Sequence, residues 1–110
     1  MNTDFPVDYK MLDKLKELSI SSDIEVCGFL TKENDDYTYK PCKNIHPDPF
    51  NYFIIDPKEC LFKDTILFHS HPKHVDLDGF SDWDLENQQY FYLPMLLYSV
   101  NKDAFYYKNI

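Results

Sequence analysis

Apolar positions along this chain switch repeatedly between two spacings. In "VDYKMLDKLKELSISS", Val7, Met11, Leu12, Leu15 and Leu18 fall on one helical stripe with lysines and acids opposite, which predicts an amphipathic helix. "IEVCGFLTKE" then reads as a strand, with "DYTYKPCKN" as its hairpin partner across the "ENDD" turn. "NYFIID" reads as a further short strand. In "DPKECLF", Asp56 has the character of an N-cap, Pro57 occupies the favoured first helical position and Glu59 completes a capping box. "TILFHSH" is too apolar for an exposed face and predicts a central strand. "PKHVDLDGF" is a loop, and "SDWDLENQQYFY" a helix capped by Ser81 and stopped by Pro94. "MLLYSV" and "AFYYKN" close the chain as two strands across "NKD". The sum predicts one α/β domain over residues 1–110, a mixed central sheet of about six strands flanked by about three helices.

Composition narrows the functional classes. With 110 residues, 44% of them apolar, and nine Phe beside nine Tyr, the chain can bury a core. Its net charge of −8 comes with no arginine and no basic stripe, which argues against nucleic-acid binding. Cys27, Cys42 and Cys60 are widely spaced, form no Cys-x-x-Cys pair, and read as reduced and buried in an intracellular chain. The beginning "MNTDFPVDYK" has no secretory pattern, and no apolar run is long enough to span a bilayer, so a cytoplasmic protein without membrane contact is expected.

"ILFHSHPKH" carries the candidate chemistry. Side chains at i and i+2 on a strand share a face, so His69 and His71 project together, about 6–7 Å apart along the strand. Two imidazoles so placed can converge on one metal ion, although a strand end with two satisfied histidines is the plainer alternative. A catalytic zinc site needs a third protein ligand and a position for water. Asp76, Asp78, Asp82 and Asp84 follow within reach, with His74 as an outsider. Ser81 and Asp84, three apart at a helix start, can present a hydroxyl and a carboxylate to one point, but Ser-x-x-Asp is equally an ordinary helix cap. Glu25 is out of place among Val, Cys, Phe and Leu: it either faces solvent by alternation or enters a polar cleft. Cys27 shares its face and reads as a small core residue. His46 and His74 read as surface loop residues.

The order "IEVCGFL", then "FHSHP", then "SDWD" resembles the JAMM (MPN-domain) zinc metallopeptidases, whose signature is a strand glutamate, His-x-His-Pro and a following Ser-x-x-Asp. "NYFIIDPKECL" and "PMLLYSVNKDAFYYKNI" extend the likeness to the small prokaryotic and phage branch, which includes lambda-type tail-assembly protein K. Two features depart from the family: the loop between Pro72 and Ser81 is longer than usual, and Phe80 stands where proline is frequent. The longer loop keeps Asp82 open as the third ligand, while matched spacing favours Asp84. The resemblance implies a cytidine-deaminase-like fold and Zn2+ held by His69, His71 and Asp84. It also implies Glu25 as general base and the Ser81 hydroxyl as stabiliser of the attacked carbonyl. The implied activity is hydrolysis of a peptide or isopeptide bond in phage tail assembly or a related prokaryotic process. The implied partners are a peptide or protein substrate and phage tail proteins. The implied place is the cytoplasm, that of the host for a phage-borne gene, or the virion tail. The competing expectation is a structural tail-assembly protein that keeps a metal site without catalysis.

Overall fold

The computed structural model describes residues 5–60 and 64–110. Asp8 caps the first helix, α1 (Tyr9–Ile20), its carboxylate accepting the Met11 N–H at 3.0 Å. Leu12 and Leu15 are buried as their spacing predicts, and Val7 packs with them from just before the helix. Leu18 is not: it is 39% exposed, and Ser19 takes the buried place instead. The serine fits because its hydroxyl donates back to the Leu15 carbonyl at 2.7 Å, which removes the cost of burying it.

Five strands form one sheet: β1 (Cys27–Glu33), β2 (Asp36–Cys42), β3 (Thr65–His71), β4 (Met95–Ser99) and β5 (Ala104–Lys108), in the order β2-β1-β3-β4-β5. Every neighbouring pair is antiparallel except β3 and β4. That parallel pair requires a crossover, supplied by the second helix, α2 (Asp82–Phe91). α2 ends with Tyr92 in the left-handed conformation, ahead of the predicted stop at Pro94. β3 is central and buried along its whole length, as its apolar run predicts.

Pleating sorts the core into two clusters. Leu30, Ile66, Phe68, Leu96 and Tyr98 pack with Leu12 and Leu15 of α1, whereas Phe29, Leu67 and Met95 pack with Phe91 of α2. The class is thus α/β with a mixed sheet, but with fewer elements than expected among the described residues. Residues 51–56 form no strand. Phe53 and Ile55 are buried, yet the Ile54 N–H donates to the Asn44 side chain and its carbonyl accepts from Ile45, so no ladder forms there. In place of a third α-helix there is a single 3-10 turn over Pro57–Glu59. Asp56 caps it by accepting the Lys58 N–H, and Glu59 pairs with Lys40 at 3.4 Å rather than closing a capping box. Residues 61–63 of that expected helix lie outside the described residues. No described helix is long and apolar enough to cross a membrane.

Candidate metal centre

In a β-α-β unit, the carboxyl end of the first strand and the start of the following helix face the same crevice. Here β3 ends in His69 and His71, and α2 begins with Ser81 and Asp84. Alternation turns both imidazoles towards the α2 face, the side of Leu67. Asp84 reaches back to them: its Oδ1 lies 3.0 Å from His69 Nε2 and its Oδ2 3.0 Å from His71 Nε2. Glu25 completes the group. One ligand atom from each of Glu25, His69, His71 and Asp84 lies within 4.8 Å of all the others, and all four residues are buried, so this cluster could hold a metal ion.

The capping residue and the candidate ligand are the same residue. Ser81 Oγ accepts the Asp84 N–H at 3.1 Å, while Asp84 Oδ2 accepts the Ser81 N–H at 2.9 Å, a complete capping box. Each carboxylate oxygen has several acceptor sites, so capping does not use up Asp84. The Ser81 hydroxyl accepts in the cap and keeps its own proton to donate elsewhere.

Orphaned polar atoms test whether a metal fits. Glu25 Oε1 and His69 Nε2 are fully buried and have no hydrogen-bond partner among the described residues. For His69 Nε2 this holds although Asp84 Oδ1 is only 3.0 Å away. The pair is close enough to interact electrostatically, but it lacks the geometry of a full hydrogen bond. Leaving such atoms unpaired is costly, and a cation between them removes the cost. Two imidazoles and two carboxylates also suit zinc's preference for nitrogen and oxygen donors.

Electrostatics points the same way. Burial, followed by the charges of Asp84 and Asp48, pushes the Glu25 carboxyl up to about 10. A divalent cation among these groups acts on Glu25 in the opposite sense. Burial also holds His69 below the ordinary imidazole value, keeping it neutral as a ligand must be, although Asp84 opposes the shift. Burial raises Asp84 too, but the His69 and His71 imidazoles outweigh it and hold the carboxylate well below its usual range.

Other candidates fall outside the cluster. Asp82 is exposed, as are Asp76, which pairs with Lys102 at 2.6 Å, and Asp78, which accepts from the Tyr106 hydroxyl. His74 is exposed and meets Asn51 Oδ1 at 3.1 Å. His46 is half-buried rather than at the surface: it stacks on Tyr52 and meets Trp83 edge-on. Cys27 is a core residue of the α2-side cluster, Cys60 is buried there as well, and Cys42 is half-buried.

Several wall residues escaped the sequence reading. Phe53 stacks on His69 at 4.6 Å, and Phe80 tilts against the same ring. Trp83 Nε1 donates to the Phe53 carbonyl at 2.9 Å, tying the first turn of α2 to the segment after β2. The only signal for this wall was the density of aromatics near the motifs. Comparison with protein-family models and with curated proteins returns no match for this chain.

Proposed function

We propose that this chain is a zinc-dependent hydrolase of a peptide or isopeptide bond, of the JAMM type that its three motifs resemble. The observation that carries the reading is the meeting of Glu25, His69, His71 and Asp84 within 4.8 Å, from three separate parts of the sequence: the segment before β1, the end of β3 and the start of α2. His69, His71 and Asp84 would hold the metal. Zinc bound there supplies Lewis acidity and an activated water at neutral pH. Glu25, whose Oε1 has no hydrogen-bond partner among the described residues, takes a proton from the attacking water and returns it to the leaving amine. The Ser81 hydroxyl, with its proton available, donates to the oxygen on which negative charge develops. The buried setting amplifies each of these contacts. The proposed setting is phage tail assembly or a related prokaryotic process, with tail polypeptides as partners, in the cytoplasm or the virion tail.

One observation favours a second reading. His69, His71, Asp84 and Glu25 are all at most 2% exposed, and closed sites are the mark of structural metals. On that reading the chain is a non-catalytic assembly protein that retains a metal site. The test measures zinc by elemental analysis in protein purified without chelators, then hydrolysis of peptide and isopeptide libraries by wild type and Glu25→Gln. The hydrolase reading expects about one zinc per chain, turnover by wild type, and loss of turnover with zinc retained in the variant. Zinc-loaded wild type that cleaves nothing refutes it and favours the structural role.

A further inference from the structure

Glu25 belongs to no regular element. The β1–β3 ladder begins at Cys27 opposite His69, so one step outward would set Val26 opposite Ser70 and the next Glu25 opposite His71. A regular antiparallel pair would exchange two main-chain hydrogen bonds between Val26 and Ser70. Only one forms: Ser70 N–H donates to the Val26 carbonyl at 2.9 Å. The other is diverted, with the Val26 N–H donating 2.9 Å to the Ser70 hydroxyl oxygen. Ser70, fully buried between the two histidines, thus ends the ladder one residue before the glutamate.

From there a second device takes over. The Glu25 N–H donates to the Pro49 carbonyl at 2.8 Å, and the Glu25 carbonyl accepts from Asn44 Nδ2 at 3.1 Å. Asn44 also donates to the Tyr52 carbonyl at 2.9 Å and to Pro49 at 3.4 Å, while its Oδ1 accepts the N–H groups of His46 and Ile54, each at 3.1 Å. Only carbonyls surround the amide nitrogen and only N–H groups the oxygen, so the amide has one satisfactory orientation. One side chain therefore shapes the loop after β2 and fastens it to the main chain of Glu25.

We infer that Ser70 and Asn44 are positioning residues which set the Glu25 carboxyl against the imidazole pair. Ser70 fixes the step from the ladder, and Asn44 fixes the main chain at the glutamate itself. Neither touches the metal ligands' donor atoms. The kinetic part of this inference rests on the hydrolase reading; the spectroscopic part does not.

The test compares wild type, Glu25→Gln, Ser70→Ala, Ser70→Thr and Asn44→Asp, each loaded with cobalt(II) in place of zinc. The visible spectrum reports the surroundings of the metal, and Glu25→Gln provides the reference for loss of the carboxylate. Ser70→Ala and Asn44→Asp are expected to bind cobalt stoichiometrically but to shift the spectrum from wild type towards Glu25→Gln. Ser70→Thr keeps the hydroxyl and is expected to retain the wild-type spectrum. With a cleavable substrate, kcat should fall about 10–100-fold in Ser70→Ala and Asn44→Asp with KM little changed, since a misplacement of about 1 Å costs that much. A merely structural role would lower the melting temperature and leave spectrum and kcat per folded molecule unmoved, and that result overturns the inference. If Ser70→Ala does not fold, Asn44→Asp, which keeps both acceptor contacts, decides by the same readouts. If wild type cleaves nothing, the hydrolase reading fails while the spectra still decide the positioning roles.

Discussion

Asp84 caps the helix and is the proposed third metal ligand, and two substitutions should separate those duties. In the metal-free protein at neutral pH Asp84 carries the negative charge of the cluster, because the Glu25 carboxyl is pushed up to about 10 and burial keeps His69 neutral. Asp84→Asn removes that charge but leaves a carbonyl oxygen where Oδ2 accepts the Ser81 N–H. Helix capping should therefore survive, at a cost of about 1 kcal/mol or less from the lost charge at the helix start, with a further loss of metal-free stability from the carboxylate's contacts with His69 and His71. Metal binding should not. Loss of a partner that only orients a ligand costs about 10–100-fold in affinity, so loss of the anionic ligand itself should reach about 100-fold or more, about 3 kcal/mol. Ser81→Ala reverses the pattern. It deletes the acceptor for the Asp84 N–H, costs about 1 kcal/mol of stability, and leaves zinc affinity near wild type. Zinc competition against a chromogenic chelator gives the affinities, and urea unfolding in excess EDTA gives metal-free stability. Asp84→Asn that binds zinc as tightly as wild type would refute the assignment of Asp84 as a ligand, leaving it a helix cap alone.

Further outcomes follow from the same geometry. Zinc at about 100 times its dissociation constant should stabilise the fold by about 2.7 kcal/mol, a rise in Tm on the order of 10 °C; a Tm unmoved by zinc or EDTA would contradict a folded-state metal site. In metal-free protein the raised Glu25 value means that the folded state keeps a proton the unfolded state has lost, so stability falls as pH rises. Between pH 7 and 8.5, above the range where His69 contributes, the loss should approach about 2 kcal/mol, and Glu25→Gln should abolish it in urea titrations. A wild-type slope no steeper than that of the variant would show that Glu25 is not protonated in the fold. Gly28→Ala should destabilise by at least the upper end of about 1–3 kcal/mol, since a Cβ there would sit 2.3 Å from the Lys40 carbonyl oxygen and 2.7 Å from Tyr39 Cε1. An unchanged urea midpoint would mean that β2 can move away from β1 freely.

Local patterns specified the elements whose stability is local or whose burial is two-sided. The apolar run of β3 announced a central strand, and Ser81 with Asp84 announced a helix start, because both signals depend on neighbours in sequence. The same locality paired His69 with His71 through strand alternation. Two expectations failed where tertiary contacts overrode the local pattern. Residues 51–56 have strand-like alternation, but Asn44 and Ile45 take the hydrogen bonds that a neighbouring strand would need. Leu18 lost its predicted burial to Ser19, since the orientation of α1 on the sheet, not its stripe alone, decides what is covered.

What the chain alone determined about the site was its inventory: two imidazoles on one strand face, a Ser-x-x-Asp helix start, and a glutamate with no obvious reason to sit among apolar neighbours. Matched spacing favoured Asp84 without excluding Asp82, and alternation left Glu25 between solvent and cleft, because those choices depend on how a loop closes and where a strand lets go. The tertiary structure decided both. The β3–α2 crossover aims Asp84 inward and leaves Asp82 exposed, and the Ser70 hydroxyl with the Asn44 amide takes Glu25 off the ladder into the crevice. These contacts join residues 19 to 44 positions apart, a separation at which sequence spacing no longer fixes distance.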